Sequence, residues 1–263
     1  MMIVKRDSSI FLRNAIIATL DDENIDVHTF ECIDSTNSEA KRYAAGATER
    51  TPTLFVAKEQ SAGRGRVGRR FVSRRNRGIY MTLLYFVDTV ADTVSVTTHA
   101  AVAVASAIEA ITGRKMKIKW VNDVFDECGK VSGILVEGQM TALGYAVAVG
   151  VGINIGENDF PDEIKEIASS IGDIGAAEGT LISLVAKNLL EYAKNPADKS
   201  FMVEYKARFM LACKDVVLSM ADGSEKCGKV IGVDNEGGLI VNVNGYREVI
   251  KSGSVSVRVR EDM

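Results

Sequence analysis

The sequence predicts an α+β fold in two parts: a larger region of strands and helices, then a small antiparallel barrel. Three observations carry this expectation. Strand-like and helical runs follow one another up to about Leu211 without a linker or an internal repeat. Thr93 to Thr112 is a helical run that is apolar almost all round, so it needs burial on every side. Beyond Cys213 the texture changes to five short strand-like segments within about 50 residues, divided by turn signals. The division therefore falls into residues 1–211 and 212–263, a length that suits one sizeable domain plus a small one.

The elements follow in order. Ser8 to Leu20 carries Ile10, Phe11, Ile17 and Leu20 at helical spacing, and Val27 to Ile33 reads as a short strand. In Asp34-Ser35-Thr36-Asn37, side chains compete for backbone hydrogen bonds, and Glu39 stands three residues after Thr36. That is a capping-box pattern for a helix through about Ala45. The same hydroxyls and amides could instead line a pocket at a helix N-terminus. Leu54 to Lys58 and Gly78 to Val87 read as strands. Lys115 to Val121 alternates lysines with Ile118 and Trp120 as a half-buried strand does. The Asp126–Gly129 turn then reverses the chain into Lys130–Glu137, an arrangement expected to set Lys119 and Lys130 on adjacent strands. Tyr145 to Ile155 is a buried strand, and Ile164–Ser170, Leu181–Ala193 and Phe201–Phe209 read as helices. The barrel strands are Val216–Met220, Lys226–Val233, Gly238–Val243, Arg247–Lys251 and Val255–Val259.

The formal net charge is −3 and the pI about 5.6, so basic character is local, between Arg64 and Arg77. This argues for a site rather than a coat that binds nucleic acid. Cys32, Cys128, Cys213 and Cys227 are far apart, and neither they nor His28 and His99 make a zinc pattern; reduced thiols are expected. Lys5 and Arg6 precede an apolar run, but Arg13 and Asn14 interrupt it, so no signal peptide is read. Gln139 to Gly156 is uncharged enough to raise a membrane span, yet too broken by glycines to make one. A soluble, cytoplasmic protein is the expectation.

The densest signal is Gln60 to Phe71, QSAGRGRVGRRF. Glycine lets backbone N–H groups approach a ligand, and arginine offers a planar fork of donors to phosphate or carboxylate. Gly63 to Gly68 formally satisfies the G-x-G-x-x-G dinucleotide fingerprint. A dinucleotide turn must open a helix, however, and Arg69 to Gly78 lacks helical periodicity and runs into a strand. A solvated basic turn or an RNA-binding Arg/Gly box remain, though no aromatic stacking platform accompanies the loop. An anion-wrapping loop is the preferred reading, mobile when empty and ordered by its ligand. Lys130 beside Gly133, Asn122-Asp123 at a strand end, and Asn154 after Gly150 and Gly152 supply further polar groups. Asn154 has a donor and an acceptor with which to read an adenine edge, or it merely closes a strand-end turn.

Taken in order, Asp34-Ser35-Thr36-Asn37, Gln60-x-x-Gly63-Arg64-Gly65-Arg66-x-Gly68-Arg69, Lys119-Trp120-Val121-Asn122-Asp123, Lys130-x-x-Gly133-Ile134-Leu135-x-Glu137 and Gly150-x-Gly152-Ile153-Asn154 resemble the blocks of biotin protein ligases. The likeness spans about residues 30 to 156. It implies a mixed, mainly antiparallel sheet with helices packed on it and a C-terminal SH3-like barrel. It also implies activation of biotin with ATP and Mg²⁺ to biotinyl-5′-AMP, then transfer to a lysine of a biotin carboxyl carrier protein, of acetyl-CoA carboxylase or another biotin-dependent carboxylase.

By the same resemblance Lys130, Arg64 and Arg66 are catalytic. Ser35, Thr36, Asn37, Gln60, Gly63, Gly65 and Gly133, with those three, surround biotin. Arg64, Arg66, Arg69, Phe71, Asn122, Asp123, Lys130 and Asn154 meet the nucleotide, with Phe71 where the family usually has Trp, and Asp123 is the candidate metal ligand. Val121 replaces the usual proline and Ser254 the usual glutamate, and Arg258 is a candidate to reach the nucleotide from the barrel. Only 33 residues precede Asp34, too few for the winged helix of the family's repressors. No DNA or membrane partner is therefore expected, and a homodimer is allowed. A lipoate or octanoate ligase would show an RR-x-S-G-G-G-like block, which is absent. A module that holds biotinyl-AMP without transferring it is the non-enzymatic alternative.

Overall fold

The computed structural model describes residues 8–20, 24–91, 93–157, 159–220, 222–251 and 255–260. The larger sheet holds β1 (Asp26–Phe30), β2 (Thr53–Ala57), β3 (Gly78–Val87), β4 (Lys117–Lys119), β5 (Asp123–Phe125), β6 (Lys130–Thr141) and β7 (Gly144–Asn154), in the order β1-β2-β3-β7-β6-β5-β4. Only β1 and β2 run parallel; the other neighbours are antiparallel. The sheet is mixed and mainly antiparallel, as expected.

Strand alternation explains how both faces are covered. Leu54, Val56, Leu83, Val147 and Val149 point into the main core, under α1 (Ser8–Leu20), α3 (Thr93–Thr112) and α4 (Glu178–Lys194). Their neighbours Phe55, Leu84, Ala146 and Ala148 face the other way, onto Ala40 and Ala44 of α2 (Thr36–Gly46). Small residues at 146 and 148 let α2 lie close to the strands. Within α3, Val94–Thr112 is long and apolar enough to cross a membrane, with mean hydropathy 1.5, but 72% of it is buried inside the protein. A short helix, α5 (Met202–Arg208), follows α4.

The C-terminal part is a five-stranded antiparallel sheet of β8 (Asp215–Ser219), β9 (Glu225–Val233), β10 (Leu239–Val243), β11 (Tyr246–Ile250) and β12 (Ser256–Val259), ordered β11-β10-β9-β8-β12. A bulge between Ile240 and Val241 bends β10 against β9. Val216, Leu218, Val230, Leu239 and Val241 belong to the same continuous core as the larger sheet. Trp120 Nε1 donates to Gly237 O at 2.8 Å across the seam, where Leu211 is fully buried.

Four expectations need correction. The strand expected over Val27–Ile33 stops at Phe30; Ile33 makes only an isolated bridge to Gln60. The α2 cap is Ser35 rather than Thr36, accepting from Ser38 N at 3.4 Å, while the Glu39 carboxylate takes Arg42. A strand, β5, lies within the supposed Asn122–Gly129 reversal, so Lys119 and Lys130 sit two strands apart. Residues 164–170 are turns rather than a helix, because Ala168 and Ser169 pair with Lys130 at the sheet edge instead of continuing a helical ladder. Ser254 lies outside the described residues.

His99 on α3 stacks on Tyr192 (4.7 Å between centroids) and meets Phe201 edge-on at 5.0 Å. Burial pushes its imidazole down from 6.5 to about 4, against a weaker upward pull from Asp198. A depressed value means the neutral form is the one the fold holds. Its stabilisation is full above pH 6.5 and fades as pH falls towards 4. A His99→Phe variant should lose this acid sensitivity. The unfolding free energy from urea melts of the native chain should drop relative to the variant between those pH values, by an amount on the order of 2–3 kcal/mol; parallel pH profiles would contradict the assignment.

Candidate active site

The N-terminus of α2, the 60–71 loop and the ends of β5, β6 and β7 converge on one cleft of about 310 Å³. Two features build its first wall. Ser35, Thr36 and Asn37 are almost wholly buried at the start of α2. Gln60 Oε1 accepts from Thr36 N at 2.8 Å and Thr36 Oγ1 at 3.2 Å, while Gln60 Nε2 donates to Ser73 Oγ at 2.9 Å. Asp34 stands beside them but is turned to Arg42, whose hydrogen bond lowers the Asp34 carboxyl to about 2.

The Arg/Gly loop is a tight reversal. Phe71 N donates to Gly63 O at 3.0 Å, Gly65 N to Arg69 O at 2.7 Å, and Arg69 N to Arg66 O at 3.1 Å. Val67 is held in the left-handed region at φ 54°, costly for a β-branched residue. The tip is slung between two walls. Arg64 Nη2 lies 3.0 Å from Glu137 Oε1 on β6, and Arg66 Nη1 donates to Asn122 Oδ1 at 3.0 Å.

Cationic side chains dominate the cleft: Arg64, Arg66, Arg69, Arg70, Lys119 and Lys130 line it against a single carboxylate, Asp123. Lys130 Nζ is 2.7 Å from Asp123 Oδ1, which has no aligned hydrogen bond of its own. Burial lowers the Arg66 and Lys119 pKa values, and the Asp123 charge opposes this in both. Two half-buried cations beside Lys130 make this end of the cleft suited to an anion. Among the described residues no group of three or more His, Cys, Asp or Glu is arranged to hold a metal.

The floor is shaped by missing side chains. A Cβ on Gly152 would come 2.4 Å from the Phe71 ring, and one on Gly133 would come 3.2 Å from it. A Cβ on Gly150 would strike Asn37 Oδ1 at 2.1 Å. Phe71 thus rests on bare backbone, edge-on to Tyr80 at 6.3 Å. Asn154 donates from Nδ2 to Ser169 O at 2.8 Å and Lys130 O at 3.4 Å, which leaves its Oδ1 to accept.

Most residues singled out in the sequence meet here. Gly63 does not line the cleft; its Cα packs against Phe71 O and Ser73 Oγ. Arg258 points away, 3.7 Å from Glu225, and Val255, Ser256 and Val257 are what the C-terminal sheet brings to the cleft. Phe160, Ile164 and Ile167 form an apolar wall, the last two from the segment that periodicity presented as a helix.

Residues 29–154 match the model of the Biotin/lipoate A/B protein ligase family. The chain carries a domain of this family. It is 32% identical over 216 residues to the bifunctional ligase/repressor BirA of Bacillus subtilis, covering 78% of this chain and 66% of that one. It therefore spans less than two thirds of that relative. Over 231 residues it is 27% identical to the biotin–[acetyl-CoA-carboxylase] ligase of Mycobacterium tuberculosis, covering 84% and 85% of the two chains. The biotin protein ligase of Aquifex aeolicus, in complex with biotin and ATP, superposes with a TM-score of 0.75 at 26% identity, covering 89% of this chain and 99% of that one. The α+β architecture is that of the biotin protein ligase fold, and the antiparallel C-terminal sheet is consistent with a small β domain.

The packing of Phe71 on Gly152 gives a direct check. Gly152→Ala should destabilise the protein by roughly 1–3 kcal/mol, and the costs of Gly152→Ala and Phe71→Ala should be sub-additive because truncating the ring vacates the clash. Strictly additive urea midpoints would place the ring elsewhere.

Proposed function

We propose that this chain is a biotin protein ligase. It joins the biotin carboxylate to the α-phosphate of ATP, releasing pyrophosphate, and then passes the biotinyl group to a carrier-protein lysine. The observation that carries this reading is the composition of this cleft. A neutral hydrogen-bonding end (Ser35, Thr36, Gln60) with a bare glycine floor adjoins a cationic end (Arg66, Arg69, Lys119, Lys130). The first suits a small uncharged ring with polar edges, the second two anions that must be brought together.

In the adenylation step the biotin carboxylate is itself the nucleophile, and the P–O bond to pyrophosphate breaks as the acyl–phosphate bond forms. Repulsion between the two anions is the main barrier the protein can lower. Arg66 and Lys130 are the cations best set to lower it, being fixed by Asn122 and Asp123 before substrate arrives. Asn154 Oδ1 would accept from the 6-amino group of adenine. Mg²⁺ fits as a companion of the ATP phosphates, with Asp123 able to offer one oxygen ligand and no protein cage around it. In the second step the carrier lysine amine attacks the acyl carbon, an amide forms, and AMP leaves with the amine proton lost to solvent. The roofing loop keeps water from hydrolysing the mixed anhydride first. The partner is a biotin carboxyl carrier domain, and the reading includes no transcriptional repression.

The test is transfer. Protein, ATP, Mg²⁺, labelled biotin and a carrier domain should give label on one carrier lysine, whereas labelled lipoate or octanoate should give none. Preferential octanoyl or lipoyl transfer would favour the sister activity, and adenylate without transfer a binding module. Lys130→Ala should slow adenylation by roughly tenfold or more; an unchanged rate would remove Lys130 from the chemistry.

A further inference from the structure

Glu137 stands behind the cleft wall, not among the residues lining it. Its side chain is 17% exposed and its carboxylate is surrounded. Lys41 Nζ is 2.8 Å from Oε1, Arg64 Nη2 is 3.0 Å from the same oxygen, and Asn37 Nδ2 donates to Oε2 at 3.0 Å. Burial pushes the Glu137 carboxyl up, but hydrogen bonds from Lys41 and Asn37 and the charges of Lys41 and Arg64 outweigh it and hold the group below its usual range. Asn37 is fixed in turn: its Oδ1 accepts from Thr82 Oγ1 at 2.7 Å, and its Nδ2 also reaches Leu135 O at 3.1 Å.

The consequence concerns Arg64. Its charge is met by a carboxylate of the protein itself, while the neighbouring Gly65 backbone lines the cleft. On the opposite side Arg66 is tied to Asn122. Arg64 and Arg66 thus differ in kind. Arg66 is half-buried over the cationic end near Asp123, while Arg64, though it lines the cleft, pairs with Glu137 behind its wall.

We propose that Glu137 is a positioning residue: by holding Arg64 it sets the Gly63–Gly65 backbone over the biotin end of the cleft, so that Arg64 serves substrate placement rather than charge neutralisation in adenylation. This rests on the ligase reading for its kinetic part and on geometry alone for its structural part.

Glu137→Gln keeps the shape and an acceptor for Asn37 but removes the charge attraction for Arg64. Two readouts decide. In the ligand-free protein, trypsin cleavage between Arg66 and Arg70, identified by mass spectrometry, should quicken roughly tenfold as the tether weakens. In the adenylation assay the KM for biotin should rise roughly tenfold, with kcat within about threefold of the native value, since uniform binding is what is lost. Arg64→Gln should copy both effects, and the double variant should be little worse than either single one. Lys41→Gln, which removes a partner of Glu137 but not the tether, should leave loop cleavage and KM near native values. Arg64→Gln leaves the Asn37–Glu137–Lys41 cluster intact and decides the matter if Glu137→Gln fails to fold. The proposal is overturned by unchanged loop cleavage, by kcat and kcat/KM falling together, or by Lys41→Gln reproducing the Glu137→Gln effects. If the native chain biotinylates nothing, the ligase reading falls, while ligand-free cleavage still decides the tether.

Discussion

A carboxylate inside a protein wall is stable only if cations and donors replace the water it has lost. Glu137 meets that requirement by drawing in Lys41 and Asn37 from α2, 96 and 100 residues away in sequence, together with Arg64 from the loop. Satisfying one charge therefore fixes two segments, α2 and the loop, against β6. Asn37 is oriented against Thr82 and β6, the N-terminus of α2 is set at the end of the cleft, and the loop is drawn to the wall. Gln60 does the same with neutral groups from the other side, linking Thr36 to Ser73. The cleft exists because these hydrogen-bonded ties hold α2 and the loop at a fixed distance from the sheet.

The absence of side chains on one face of β6 and β7 is the complementary constraint. Where the glycines leave backbone bare, Phe71 and Asn37 settle against it at distances that any Cβ would forbid. The loop's own end thereby becomes part of the floor, and the cationic groups, whose reach is set by β4, β5 and β6, are gathered at one side. Trp120 and Tyr205 support this side from behind, the first through Gly237 O and the second through Val121 O at 3.3 Å. The Trp120–Val121 peptide, at the position where proline is usual, is cis.

Much of this was legible in the sequence, for physical reasons that differ by element. α1, α3 and β3 have the expected bounds because each is a long run of one period, bounded by residues that break it. The site blocks were legible because glycine and arginine at that density have few structural uses. β5 was not legible: three residues carry no period, and its place is set by pairing with Lys117–Lys119 and Lys130–Gly133. Ile164 and Ile167 have helical spacing, but the neighbouring backbone pairs with Lys130, which no local pattern reveals. Glu137 was visible as the last letter of a motif. Its partners were not, since contacts across such separations follow from the sheet order and not from spacing. Arg64 and Arg66, alike in sequence, diverge for the same reason.

On the proposed reading Arg64 and Arg66 have separate duties: Arg66 and Lys130 face the reacting anions while Arg64 stays on Glu137. A crystal structure with a hydrolysis-resistant biotinyl-adenylate analogue tests it most directly. The bicyclic ring should lie beside Thr36 and Gln60, the phosphate mimic between Arg66 and Lys130, and the Arg64–Glu137 pair should be intact. A complex in which Arg64 has left Glu137 to bind the phosphate mimic would contradict it.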